Sequence, residues 1–261
     1  MVDRNLSVEA SPSVGLISTL HDPEGRMVKF IHQCLPYLID LYQFLAIVAT
    51  PATSQRTIET LVMHQAQVCP EGTGYVGESR RKALKLGLKH RRARHFHYCD
   101  FDRLLHWTLN YPDELRSIVL NAIPRSDFLV IGRTPEAFDS HPPAQKETEG
   151  LVNRVFSFIL GAPMDAVAGS CGMSRPAAEQ IMHRSIEQSN ATDTEWPLIV
   201  RHLVEPELSV EYVAVQGLEF ETPTFFGPQT FRRANTSENW RLRVQLCRES
   251  IEAALRVSTQ P

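Results

Sequence analysis

The feature that most constrains the fold is a repeated alternation, through the first half of the chain, of short apolar runs with amphipathic stretches. Val14-Gly15-Leu16-Ile17-Ser18-Thr19-Leu20 reads as a strand, and His21-Asp22-Pro23-Glu24-Gly25 is a turn by composition. Met27, Ile31, Leu35, Leu38 and Tyr42 then recur at three- and four-residue steps, the period of a helix. Phe44-Leu45-Ala46-Ile47-Val48-Ala49 is apolar throughout, as in a strand buried on both faces of a parallel sheet. Thr50-Pro51-Ala52-Thr53-Ser54 breaks that run and offers N-caps for a helix through Ile58, Leu61 and Val62. A weak strand over 66–69 and a turn carrying Gly72, Gly74 and Gly77 lead to a helix over 78–89. Arg94-His95-Phe96-His97-Tyr98-Cys99 is a third strong strand, ending in Asp100-Phe101-Asp102. Alternation of this kind predicts an α/β fold with a mostly parallel central sheet and right-handed crossovers. Ligands of such sheets sit beyond the carboxyl ends of the strands, so the loops at 21–26, 50–56 and 100–103 should converge on one crevice.

The second half is less regular. Pro112-Asp113-Glu114 places a proline and two acids where a helix starts, and the helix should run to about Ala122. Residues 128–132 read as a strand, and 134–147, polar and proline-bearing, as a mobile loop. Leu151, Val155, Phe158 and Ile159 form a helical stripe. A helix over 177–186 has Pro176 at its first position, with Ser174 or Arg175 near its start. Residues 210–215 alternate like a strand, and Trp240, Val244, Cys247, Ile251 and Leu255 make a terminal helix face that needs a surface to pack on. With no repeat, no low-complexity tract and no linker, the 261 residues read as one domain.

Composition excludes several classes. Lys and Arg total 27 against 30 Asp and Glu, a net charge of −3, which argues against a nucleic-acid coat. The five cysteines are odd in number and scattered, which suits a reducing compartment better than a disulfide framework. The N-terminus lacks an apolar leader, and Pro36, Asp40 and Gln43 interrupt the most apolar stretch, 35–49. These features predict a soluble cytoplasmic protein without a transmembrane segment.

Two motifs carry chemistry. Residues i and i+2 of a strand point to one side, so Asp100 and Asp102 at a strand's carboxyl end could share one Mg²⁺ or Mn²⁺ together with substrate phosphates. The alternative is a solvated turn with two surface acids. In Gly77-Glu78-Ser79-Arg80-Arg81-Lys82-Ala83-Leu84 a glycine turn opens a helix with guanidinium donors, a platform for phosphate. The alternative is a solvated basic face continuing through Lys85, Lys89, Arg91 and Arg92. His95, His97 and Cys99 share a strand face, but no fourth ligand is spaced to close a zinc site. Cys171, between Gly169 and Gly172, reads as a small residue in a tight turn rather than a nucleophile.

The order of these elements resembles that of the nucleotide-sugar glycosyltransferases of GT-A fold. It is most similar to family-two-like members, and within them to the mannosylglycerate and glucosyl-phosphoglycerate synthases. Ser79-Arg80-Arg81-Lys82-Ala83-Leu84 is similar to their Ala-Arg-Asn-x-Gly/Ala-Leu segment, with Arg80 on the family arginine and Arg81 in place of the asparagine. Leu20-His21-Asp22-Pro23-Glu24 resembles the first donor loop. Ala168-Gly169-Ser170-Cys171-Gly172-Met173 resembles the glycine-rich stretch at the sugar, and Glu195-Trp196 an acidic-aromatic pair near the acceptor. The likeness spans about 14–221, and Val76 stands where the synthases carry a lysine.

The resemblance implies a hexosyltransferase that uses Mg²⁺ or Mn²⁺ and moves a sugar from a nucleoside-diphosphate donor to a small or glycan acceptor. It implies a nucleotide-binding half over 13–132, an acceptor half over 133–261 and a possible homodimer. Donor contacts would come from Leu20, His21, Asp22, Glu24, Thr50, Gly77, Arg80, Arg81, Asp100, Phe101, Asp102, Gly169 and Ser170. Asp102 would ligate the metal, Asp100 the metal or the ribose, and Glu221, with Glu219 nearby, would replace the family's late histidine. Glu195 would act as a base or hold the acceptor, and Asp100 would share in catalysis.

Two alternatives stay open. One is a degenerate member that binds a nucleotide sugar without turnover. The other is a haloacid-dehalogenase-type phosphatase, whose nucleophile motif Asp100-Phe101-Asp102 mimics, although that motif usually follows the first strand. A nucleotidyltransferase would want a Gly-rich, basic loop after strand one, which Leu20-His21-Asp22-Pro23 does not supply.

Overall fold

A computed structural model describes residues 13–204, 208–227, 230, 234 and 236–259. Its centre is a seven-stranded sheet. In chain order the strands and the helices between them are β1 (Val14–Leu20), α1 (Val28–Leu41), β2 (Leu45–Ala49), α2 (Gln55–Met63), β3 (Gln67–Cys69), α3 (Val76–Leu88) and β4 (His95–Cys99). There follow α4 (Phe101–Asn110), α5 (Pro112–Ser117), β5 (Phe128–Arg133), α6 (Pro135–Asp139), α7 (Pro143–Leu160) and β6 (Ser170–Ser174). The last elements are α8 (Arg175–Arg184), α9 (Thr192–His202), β7 (Val210–Val215), α10 (Thr222–Phe226) and α11 (Ser237–Ser258).

The spatial order is β3-β2-β1-β4-β6-β5-β7, parallel throughout except for β6, which runs antiparallel to both β4 and β5. This is the mostly parallel α/β sheet that the alternation predicts, and the expected first three strands match to within a residue or two. The pleat sends alternate residues into two cores. From β1, Leu16 and Leu20 join α1, α4 and α5 on one face, while Ile17 joins α3, α8, α9 and α11 on the other. All five residues of β2 are buried, which is why that run shows no alternation.

Several expectations are corrected. The segment 134–147, expected as a mobile loop, holds α6 and the start of α7. Its prolines occupy first-turn positions, where a missing N–H costs nothing, and Thr134 Oγ1 caps α6 by accepting from Ala137 N at 3.1 Å. The helix from Pro112 ends at Ser117 and continues as a π turn (Ile118–Ala122) and a 3₁₀ turn. Two apolar stripes turn only in part to the core, through Ile159 and Cys247. In α7 the buried residues are Ala144, Gln145, Thr148, Val152 and Phe156, whereas Leu151 and Phe158 are exposed. In α11 Cys247, Ser250, Ala253, Ala254 and Val257 are buried, whereas Val244 and Leu255 are exposed. Small residues on the packed side of α11 permit close approach of α7 and α9, so size outweighs hydrophobicity there.

The correction that matters most for the site is α4. Asp100 stands at its N-cap position, with φ −57° and ψ 133°, and Asp102 lies in its first turn. The triplet therefore does not lie on a strand, and the strand-face reason for pairing its carboxylates fails. It follows the fourth strand in chain order, not the first as the phosphatase reading requires.

Candidate active site

A cavity of about 220 Å³ opens at the carboxyl ends of β1, β2 and β4. The three loops expected to converge there do so. Leu20, His21 and Met27 come from the first, Thr50 from the second, and Asp100 and Asp102 from the third. Thr73, Val76 and Ser79, at the entry to α3, form another, uncharged wall. Thr19 and Asn190, which sequence reasoning did not nominate, complete the lining. Asn190 lies just before α9, and nothing local in its sequence marks it.

The carboxylates differ in their surroundings. Asp100 Oδ1 accepts from the Tyr98 hydroxyl and from Arg80 Nη2 at 3.3 Å, and its Oδ2 accepts from Arg80 at 3.2 Å. Among the described residues Asp102 Oδ1 accepts from the Arg103 amide alone, at 2.9 Å. Burial, then the neighbouring charges of Glu221 and Asp100, push the Asp102 carboxyl up to about 7, while Arg103 partly offsets them. Glu221, 119 residues away, is buried, and its Oε2 has no hydrogen-bond partner. Arg103 is held firmly charged. Burial opposes its charge, but Glu221 and Asp100 outweigh that.

A divalent cation fits this set. Asp100 is already paired with Arg80, but the crowded carboxyl of Asp102 and the orphaned oxygen of Glu221 can take a hard cation, which needs only one or two such ligands when phosphate oxygens complete its shell. Among the described residues no three His, Cys, Asp or Glu side chains already form a cage, so the protein supplies part of the coordination. Asp102 also has a structural reason to be acidic, since a carboxylate in the first turn complements the dipole of α4.

The other nominated residues divide sharply. His21 Nδ1 shares a 2.7 Å hydrogen bond with Thr50 Oγ1 at the cavity rim. Asp22 is turned inward, where it accepts from the amides of Arg26 and Met27 and from the Thr57 hydroxyl at 2.8–3.1 Å; it braces the first loop. Glu24 pairs with Arg26 on the surface, outside the cavity lining. Phe101 is wholly in the core.

Gly77 lies within α3, not in a turn. Its N–H donates to Gln188 O at 2.9 Å, and a Cβ there would strike the Glu187 carbonyl. Arg80, 1% exposed, donates to Tyr98 Oη, Thr192 Oγ1 and Asp193 Oδ1 as well as to Asp100, so it braces the site from behind. Arg81 donates to the Glu187 carbonyl and lies outside the cavity lining.

Ser170 is a buried residue of β6 that shares a 3.0 Å hydrogen bond with His97 Nε2, so the stretch expected at the sugar is a core strand. His97 is held neutral, its pKa lowered by burial to about 3. Burial likewise raises the Cys171 thiol, against a nucleophilic role. Gly169 does approach the site. Its φ is +68°, its carbonyl accepts from the Asp100 amide at 3.0 Å, and a Cβ would stand 2.5 Å from Asp100 Oδ2. Gly169→Ala should therefore cost about 1–2 kcal/mol of stability from backbone strain alone and displace Asp100. Denaturant titration reads the first effect, and weakened nucleotide binding the second.

Glu195, expected to be catalytic, is a corrected assignment. It is 1% exposed and accepts from Ser185 Oγ at 2.5 Å, from the amides of Ile186 and Glu187, and from Arg256 at 2.9 Å. It lies outside the cavity lining and fastens the α8–α9 connection to α11. The carboxylate beside the site in this helix is Asp193. Burial raises it to about 6, although Arg80 opposes the shift.

No protein-family model and no curated protein matches the sequence. Solved structures match the fold. Glucosyl-3-phosphoglycerate synthase from Mycobacterium tuberculosis superposes with a TM-score of 0.57 at 12% identity, over 96% of this chain and 82% of that one. Its complex with uridine diphosphate gives a TM-score of 0.58 at 12% identity, covering 96% and 81%. The complex of that enzyme with Mn²⁺, UDP-glucose and phosphoglyceric acid gives 0.55 at 12%, covering 96% and 81%. At such identity the likeness shows the fold, which is GT-A-like.

Proposed function

We propose that this GT-A-like chain is a metal-dependent glycosyltransferase that moves a sugar from a nucleoside-diphosphate donor to a hydroxyl-bearing acceptor. The observation that carries the reading is the placing of Asp100 and Asp102 in the lining of a cavity formed by the carboxyl ends of three strands, with Asp102 raised to about 7 by burial and by the neighbouring charges of Glu221 and Asp100. The fold neighbours crystallised with UDP-glucose and Mn²⁺ support it.

In this reading Asp102 and Glu221 would hold Mg²⁺ or Mn²⁺, which would supply positive charge to the diphosphate leaving group. His21, Leu20 and Thr50 receive the nucleoside at the rim. Asp100, fixed by Arg80 and Tyr98, faces the ribose or the metal. The segment 13–132 supplies the nucleotide side and 133–261 the acceptor side. Five cysteines without a disulfide suit a reducing cytoplasm, and among the described residues no helix is long and apolar enough to cross a membrane.

A thermal-shift panel of UDP-, GDP- and ADP-sugars, with and without Mn²⁺, tests the proposal. Ligand at a hundredfold over its dissociation constant should add about 2.7 kcal/mol, and only in the presence of the cation. No shift with any nucleotide overturns the reading. The engagement of Glu195 by four donors favours one second reading, a binder without turnover, because it removes the nominated base. Binding without sugar release from any acceptor would select it.

A further inference from the structure

Resting on that metal-dependent reading, we propose that Glu114, on α5, is a positioning residue for the cation subsite and acts through the turn that carries Glu221. Glu114 touches neither the cavity nor Glu221. Its carboxylate instead gathers three N–H donors. Oε1 accepts from the Gln216 amide at 2.8 Å, and Oε2 accepts from the Gly217 amide at 2.9 Å and from Trp107 Nε1 at 2.8 Å. One side chain thus ties the end of β7 to the middle of α4.

The turn can lie this close only because residue 217 has no side chain. A Cβ there would overlap the Trp107 indole, which is itself fully buried. Beyond the turn the segment stays fastened to the same helix. His106, one helical turn after Asp102, bonds through Nε2 to Glu219 Oε1 at 3.0 Å and through Nδ1 to Thr224 Oγ1 at 2.8 Å. Ser140 Oγ accepts from the Phe220 amide at 2.8 Å.

These contacts fix both ends of residues 216–224 along α4, and Glu221 is set opposite Asp102 as a consequence. Two carboxylates repel, and Glu221 gains no hydrogen bond at Oε2 by standing there. Arg103 attracts Glu221, and the clamp fixes the backbone that carries it, which makes the second acid of the subsite preorganised rather than recruited by the cation. It also accounts for α4 itself. A helix immediately after the Asp-Phe-Asp triplet gives the late segment a rail to dock on, with Asp102 at one end and Trp107 near the other.

The test is binding of Mn²⁺ to the full chain in the presence of UDP, followed by the paramagnetic resonance of the free ion. Glu114→Gln keeps one accepting oxygen and turns the other into a donor NH₂, so that one or two of the three N–H groups lose their acceptor, and it should weaken Mn²⁺ about 10- to 100-fold while UDP binding without metal is unchanged. Gly217→Ala, which pushes the turn off Trp107 with the Glu114 carboxylate intact, should give the same loss if Glu114→Gln does not fold. Glu221→Gln should lose Mn²⁺ affinity as well, and combining it with Glu114→Gln should add no further loss, because both remove the same ligand. Wild-type affinity in Glu114→Gln, or losses that multiply in the double variant, overturns the role of Glu114 and leaves the proposed function standing. Absence of UDP-dependent Mn²⁺ binding in the wild type overturns both.

Discussion

Asp102→Asn is expected to abolish cation-dependent stabilisation by nucleoside diphosphates and to lower any sugar transfer by about 10²- to 10³-fold, the usual cost of removing one charge-stabilising group from a transition state. The substitution keeps the side-chain volume and the Oδ1 acceptor that the Arg103 amide uses, so loss of fold does not confound it. It also has a signature in the metal-free protein. The Asp102 carboxyl lies near 7 in the fold against 3.8 unfolded, raised first by burial and then by Glu221 and Asp100. The native state therefore binds more protons than the unfolded state between those values, and stability must fall as pH rises through that window. With a chelator present, Asp102→Asn should gain stability relative to the wild type between about pH 4 and 7 and be the more stable of the two at pH 8; Asp193, raised to about 6, and His97, lowered to about 3, titrate in both proteins and drop out of the difference. Added Mn²⁺ should bind more tightly as the pH climbs and the proton leaves. A difference between the two melting curves that does not change with pH would mean that the acids do not crowd as described.

The second large effect falls on stability, not on chemistry. Arg80 reads from sequence as a donor contact, yet the fold encloses it with Tyr98, Thr192, Asp193 and Asp100. Arg80→Ala strands Asp193 and part of Asp100 without their counter-charge. Breaking a buried pair from one side costs about 3–5 kcal/mol, a large share of the roughly 5–15 kcal/mol that stabilises a domain. Arg80→Lys should recover little, because an ammonium cannot reproduce the guanidinium fork that serves four partners. Urea titration should show the midpoint dropping in both variants. A normally folded Arg80→Ala with only a raised KM would restore Arg80 to the donor site.

How much of the site was legible follows from where its information lies. Asp102, Asp100, His21, Leu20 and Thr50 could be found because each follows a strand whose pattern is visible over five to seven residues, and strand ends of parallel sheets point at one crevice. Glu221 was reachable only through the family resemblance, and in the fold its charge acts on Asp102 across 119 residues of sequence. Asp22, Arg80, Arg81, Gly77 and Ser170 were right about the neighbourhood and wrong about the direction in which each points. Glu195 carries the motif of a reactive acid and the surroundings of a structural one. Spacing along a helix says which face a residue occupies, not whether Ser185 and Arg256 will stand in front of it.

Local sequence sufficed for the β1–β4 framework, because apolar period and turn residues act within a few residues of one another. The rest depended on volume and partners. The antiparallel β6, the partly outward stripes of α7 and α11, and the placing of α4 beneath the Asp-Phe-Asp triplet were settled by which surfaces could approach most closely. Small residues won the α11 interface over larger apolar ones, and a glycine let the 216–217 turn rest on an indole. Distances between side chains far apart in the chain follow from such packing, and so do the charges that decide whether a carboxylate binds a proton, a guanidinium or a metal.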